Sequence, residues 1–152
     1  MYRKILVALE NSRADQSLLP HVTELAKRLG SELLLVHVAD GWAARNIREL
    51  DLRESEEMRS DREYIEAIAD SLEKEGFEAE AILAGGDPAK EIADCAQREN
   101  CDLIAMTTHG HRGLSDVIRG SVASELRHIT RVPILMVRAK PGTSPPAPRP
   151  AS

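Results

Sequence analysis

Short apolar runs alternate with amphipathic stretches along most of this chain, a pattern that predicts strands separated by helices. Lys4 to Leu9 is apolar and β-branched enough for a central strand, and Glu10-Asn11-Ser12 then turns the chain into a helix capped by Ser12. Leu18, Val22, Leu25, Ala26 and Leu29 make one helical stripe ended by Gly30, with Pro20 inside it expected to kink the first turns. Glu32 to Val38 is almost continuously apolar, as in a strand covered on both faces, and His37 within it reads as a satisfied core or strand-end histidine. Ala39 to Asp51, polar and punctuated by Gly41 and Trp42, reads as a long loop that Trp42 plugs onto the body. From Leu52, Met58, Ile65, Ile68, Ala69 and Leu72 recur at helical spacing until Gly76; the mixed charges of Arg53 to Glu63 read as a solvated face.

The second half continues the alternation. Phe77 to Ala84 alternates in the manner of a less buried strand, expected at a sheet edge. Asp87 caps a third helix with Pro88 at its first position and Ile92, Ala93 and Ala96 on its inner face. Leu103 to Met106 suits a strand buried on both faces, a helix is expected from Ser121 to about Thr130, and Val132 to Val137 is the last strand. Pro133 fits there only near the strand's start or on an edge. Strands alternating with helices imply a parallel sheet, Rossmann-like and open, with helices on both faces and right-handed crossovers. Residues 1–139 read as one α/β domain, and Lys140 to Ser152, rich in Pro, Ser and Ala, as a disordered tail.

Composition narrows the partners. At 152 residues the chain can bury a core without metal or disulfides, and its net charge of −5 offers no basic surface for nucleic acid or anionic membrane. With no apolar run of membrane-spanning length and no signal peptide, a cytoplasmic location is expected. Cys95 and Cys101 lack metal or redox spacing and read as reduced packing residues.

The chemistry concentrates in Thr107 to Ser121, between the fourth strand and the helix after it. Gly110, Gly113 and Gly120 allow left-handed backbone or close approach to a ligand, and Ser121 as N-cap would leave free amides behind it. Two readings follow from the residues alone. One is an anion cradle at a positive helix end, with Arg112 as a mobile counter-charge; the other is a tight strand-to-helix connection without ligand. His109-Gly110-His111 lacks an assignable third ligand, so no metal site is expected from it. No Ser/His/Asp order, complete P-loop or Ser-Gly-Gly-x-Asp-Ser sequence of the ATP pyrophosphatases can be placed, so at most weak ATP hydrolysis is expected.

Gly110, nine residues and then Gly120-Ser121 match the later part of Gly-x2-Gly-x9-Gly-Ser/Thr, and Gly86-Asp87-Pro88 is a second point of likeness. On these residues the chain resembles the universal stress protein family, from Tyr2-Arg3-Lys4-Ile5-Leu6-Val7 to Pro133-Ile134-Leu135-Met136-Val137. The resemblance implies five strands in the order 3-2-1-4-5, bringing the ends of strands one and four together at a topological switch point. It also implies a cytoplasmic stress-response protein that binds ATP there, with Mg2+ through the phosphates, and acts as a dimeric sensor or switch. Carried across, a ribose contact falls on Glu10, an adenine contact on the backbone of Val38, and phosphate contacts on Gly110, Arg112, Gly120 and Ser121. Leu9, Asn11, Ser12, Thr107, His111 and Val122 complete the candidate set. Two positions depart from the family pattern: Thr107 stands where nucleotide-binding members usually have Gly, and Glu10 where they have Asp. The alternative is a nucleotide-free dimeric interaction module of the same family. In either case the last strand, apolar on both faces at a sheet edge, is expected to pair with its symmetry mate.

Overall fold

A computed structural model describes residues 1–39, 56–108 and 114–140 of the protein, without the side chains of 114–121. The loop with Gly41 and Trp42, the start expected for the second helix at Leu52, residues His109 to Gly113 and nearly all of the tail lie outside the described residues. The elements are β1 (Lys4–Ala8), α1 (Asp15–Leu29), β2 (Glu32–Ala39), α2 (Glu56–Lys74) and β3 (Ala79–Gly85). They continue as α3 (Pro88–Arg98), β4 (Leu103–Thr108), α4 (Leu114–Ile129) and β5 (Ile134–Arg138). The five strands form one parallel sheet in the order β3-β2-β1-β4-β5.

Alternate residues of the inner strands feed two cores. Ile5, Val7, Leu33 and Leu35 face α1 and α2 through Leu18, Val22, Ile65 and Leu72. Leu6, Leu34, Ile104 and Met106 face α3 and α4 through Ile92, Ala96 and Leu126. Burial on both sides is why these strands read as unbroken apolar runs rather than as alternation. β3, at one edge, is only half covered, as its alternating sequence predicts. Cys95 and Cys101 are free and buried in the second core, where burial pushes both thiols up, Cys101 to about 12.

Local chemistry sets the element ends. Gly30 closes α1 in the left-handed conformation at φ 70°. Asp87 caps α3 by accepting from the Lys90 amide at 3.1 Å, ahead of Pro88. α1 continues through Pro20, which sits on the exposed side and removes one amide from the ladder. β5 starts at Ile134 rather than Val132: Pro133 has no amide to donate, and only its carbonyl joins the sheet, accepting from the Ile104 amide at 2.9 Å.

The largest departure from expectation is α4, which begins at Leu114 and not at Ser121. Leu114, Val117, Ile118 and Val122 extend the helical spacing backwards from Leu126. Gly120 inside that run costs only about 1 kcal/mol relative to Ala, too little to end a helix whose other face is apolar. Ser121 is therefore an interior residue, not a cap.

Candidate functional site

Val7 of β1 lies opposite Ala105 of β4, and beyond this pair the chain leaves β1 toward the α1 face and β4 toward the α4 face. The two strand ends thus frame the crevice at which open parallel sheets take ligands.

Glu10, Asn11 and Ser12 follow β1 as a tight loop in which Asn11 takes the left-handed conformation at φ 57°. Asp15, only 1% exposed, gathers this loop. Its carboxylate accepts the Glu10 and Asn11 amides at 2.9 Å each, the Ser12 amide at 3.4 Å and the Tyr64 phenol at 2.7 Å. The Ser12 hydroxyl accepts from the Ala14 amide at 3.2 Å and not from Asp15, and the helix has Ala14 at its N-cap with no side-chain cap, so Ser12 shapes the turn before α1 rather than capping the helix as expected. Burial, reinforced by the Asp15 carboxylate, pushes the Tyr64 phenol well above its usual range.

A second tether comes from β2 and α2. His37 Nδ1 lies 2.8 Å from the Leu9 carbonyl, which can only accept, so the ring proton on that side belongs to Nδ1. Its Nε2 is 3.3 Å from Asp61 Oδ2, and Asp61 Oδ1 accepts from the side-chain Nδ2 of Asn11 at 2.6 Å. His37 is thus the satisfied histidine expected of it. Asp61 is the exception to the solvated face read from Arg53 to Glu63: Glu56, Glu57, Arg59, Arg62 and Glu63 are exposed, whereas Asp61 is 8% exposed and shares the buried stripe of Ile65, Ala69 and Leu72.

Across the strand ends, the buried Thr107 hydroxyl donates to Glu10 Oε2 at 2.7 Å. The two departures from the family pattern are therefore one feature. The extra methylene of Glu10 carries its carboxylate to the hydroxyl that Thr107 adds on β4.

The candidate residues fall into three groups. Leu9, Glu10, Asn11, Ser12 and Thr107 come together at the β1 and β4 ends, with Val38 near the end of the adjacent β2. The Leu9 backbone is already committed, its amide to the Val36 carbonyl and its carbonyl to His37. Gly110, His111 and Arg112 lie outside the described residues. Gly120, Ser121 and Val122 do not offer free amides: they stand inside α4, where an α-helix uses its own amides from the fifth residue onward, and Val122 packs in the second core. The amides a helix leaves open are those of its first turn, here from Leu114. Among the described residues no group of three His, Cys, Asp or Glu is placed to hold a metal.

Comparison with known proteins gives this geometry a relation. The sequence model of the universal stress protein family matches residues 1–138. The chain belongs to that family. The universal stress protein YxiE of Bacillus subtilis is 28% identical over 148 residues, covering 91% of this chain and all (100%) of that one. Universal stress protein MJ0577 of Methanocaldococcus jannaschii is 28% identical over 160 residues, covering 92% of this chain and 97% of its own. The solved structure of MJ0577 superposes with a TM-score of 0.73, at 28% identity over 93% of this chain and 99% of that one. A universal stress protein of Archaeoglobus fulgidus solved in complex with dAMP shares the fold at 22% identity, TM-score 0.66, over 90% of this chain and 98% of that one. So does a universal stress protein solved in complex with cAMP, at 14% identity and TM-score 0.64, over 91% of this chain and 98% of that one.

Asp15, Tyr64 and Asp61 escaped sequence reading as parts of the site, although two left signals. Ser12-x-x-Asp15 has capping-box spacing, which makes Asp15 a loop organiser. Asp61 precedes Ile65 by one turn on the apolar stripe, where a lone carboxylate demands a partner. Tyr64 carries no such mark, since a tyrosine flanking a stripe is ordinary core.

Proposed function

We propose that this universal stress protein binds an adenine nucleotide, ATP in the first instance, at the switch point between β1 and β4 and acts as a dimeric sensor or switch. The observation that carries the reading is the Glu10 carboxylate, presented at the strand ends by a loop whose three amides are fixed on Asp15. A hydrogen-bond acceptor held this way is preorganised for sugar hydroxyls. The Val38 backbone then serves the base. The phosphates run toward the Gly110 to Gly113 segment, Arg112 and the first turn of α4 at Leu114, rather than toward Gly120 and Ser121. Mg2+ arrives with the phosphates. The dAMP and cAMP complexes of the two structural neighbours support the ligand class. Dimerisation through β5 covers an edge strand whose Met136 is 41% exposed.

One observation favours a second reading, a nucleotide-free interaction module: Thr107 supplies a side chain at the strand end and already occupies Glu10. Freshly purified protein, denatured and read at 260 nm, separates the two. Released adenine nucleotide supports binding; no nucleotide, together with no thermal shift on adding ATP and Mg2+, refutes it.

A further inference from the structure

We propose that His37 and Asp61 form a proton-dependent strut that positions the first loop, so that nucleotide affinity at this site falls as pH rises. The inference rests on the adenine-nucleotide reading and adds to it two positioning residues and a form of regulation. His37 precedes Val38 on β2, and its ring stands between two oxygens: the Leu9 carbonyl, 2.8 Å from Nδ1, and Asp61 Oδ2, 3.3 Å from Nε2. The carbonyl has no proton to give, and neither has an ionised carboxylate. Both contacts are attractive together only when a second proton lies between the ring and Asp61. Imidazole is the stronger base, with an ordinary pKa of about 6.5 against about 3.9 for Asp, and Asp61 already accepts from Asn11 Nδ2 at 2.6 Å, so that proton sits on the ring. The pair is an imidazolium–carboxylate bridge whose side chains are 12% and 11% exposed.

Loss of that proton removes a support whichever nitrogen keeps the other one. With the remaining proton on Nδ1, a lone pair on Nε2 faces the Asp61 carboxylate; with it on Nε2, a lone pair faces the Leu9 carbonyl. Leu9 leads into Glu10, and Asp61 holds the side chain of Asn11 in the left-handed position after it. Either loss therefore loosens the segment that presents the Glu10 carboxylate. Among the described residues, the neighbouring elements bring these groups toward the ring: Asp61 and Tyr64 from α2, Asp15 from the start of α1, Glu10 from the loop after β1, and the uncharged Leu83 opposite His37 on β3. Burial and Asp15 keep the Tyr64 phenol protonated well above its usual range, Asp15 is engaged by three loop amides and Tyr64, and the Glu10 carboxylate reaches Thr107 on β4. Imidazole is the member of this set that ordinarily changes charge between about pH 5 and 8.

The test compares the natural protein with Asp61→Asn and His37→Asn from about pH 6 to about pH 9, a span that brackets ordinary imidazole titration. In Asp61→Asn the carboxamide donates to a neutral Nε2 and accepts from Asn11, so the strut needs no extra proton; His37→Asn keeps a donor for Leu9 without a group that titrates. Titration calorimetry with ATP and excess Mg2+ should show the natural protein losing about fivefold or more in affinity across the span, relative to either variant at the same pH values. Matched pH cancels the nucleotide's own titration, and thermal melts of each free protein verify folding. Should one variant fold poorly, the other carries the same expectation. A purely structural role for the pair would weaken the variants without changing the shape of the pH profile. Nitrogen NMR of the free natural protein should show both ring nitrogens of His37 protonated at about pH 6 and one at about pH 9, with the Glu10 and Asn11 amide signals moving at the same midpoint. Parallel affinity profiles in the natural protein and the variants, or a bare ring nitrogen already at about pH 6, overturn the proposal. If no form binds ATP, the adenine-nucleotide reading falls, and the NMR signals decide the strut alone: loop amides that follow the ring's titration support it, and amides indifferent to that titration overturn it.

Discussion

Replacing Asp15 tests whether the first loop is held in place by one buried carboxylate. The side chain is 1% exposed and accepts three loop amides and the Tyr64 phenol, at 2.7 to 3.4 Å. Asp15→Ala removes all four acceptor contacts. Hydrogen bonds to a charged group contribute about 1.5–3 kcal/mol each, but they share one acceptor and the partly exposed amides regain water. A loss of about 3–5 kcal/mol follows, a large fraction of the roughly 5–15 kcal/mol that holds a domain folded. Asp15→Asn should cost nearly as much, since its NH2 group would face another donor whichever way the amide turns. Tyr64→Phe should cost about 1 kcal/mol, because Asp15 keeps its amide partners. Urea unfolding provides the assay: midpoints in the order natural, Tyr64→Phe, Asp15→Asn, Asp15→Ala, with similar slopes. In a chain of this length, about 3–5 kcal/mol corresponds to roughly 6–20 °C in melting temperature. An Asp15→Asn variant within about 1 kcal/mol of the natural protein would refute the reasoning, because the loop would then hold its shape without the carboxylate.

Three further outcomes are expected. Burial alone would raise the Asp102 carboxyl, but the Arg3 and Lys4 amides at 2.9 and 3.1 Å outweigh it and hold it below the usual range. With the folded value depressed, its contribution is present above the unfolded value and lost as pH falls through the folded one; Asp102→Asn should lower neutral-pH stability by under about 1 kcal/mol and flatten the acid limb of a pH–stability curve. Gly120→Ala should raise the melting temperature of the free protein, by about 0.5–1 kcal/mol in stability, because Gly120 lies inside α4; a destabilised variant would mean that the glycine serves a conformation other than helix. Lys or Glu at Ile134 and Met136 should yield monomer or aggregate, and sedimentation of the natural protein as a monomer at micromolar concentration would sink the dimer.

The fold was legible because each inner strand carries its apolar residues as a run and each helix as a stripe, and the edge position of β3 showed in its alternation. The sheet order came from the resemblance, since periodicity alone does not say which strands are neighbours. What remained hidden was side-chain commitment. Glu10 and Thr107 are 97 positions apart, and no local pattern announces that a carboxylate on one strand end will meet a hydroxyl on another. The start of α4 was misread for a different reason. Glycine-serine looks like a helix boundary by propensity, yet Leu114, Val117 and Ile118 continue the apolar spacing behind it, and one glycine costs too little to end the helix.

The central place of β1 also bears on the order in which the chain can acquire its site during synthesis. β1 emerges first and gains β2 from the next stretch of chain, but its other neighbour, β4, is not made until residue 103 and beyond. Through that interval one long side of β1 presents unpaired amides and carbonyls, together with apolar faces that await α3 and α4. A nascent chain halted before β4 would carry Glu10 with no Thr107 to meet it. The crevice between the ends of β1 and β4 thus forms only once β4 has been made, long after β1, and its appearance marks a sheet that has closed around β1.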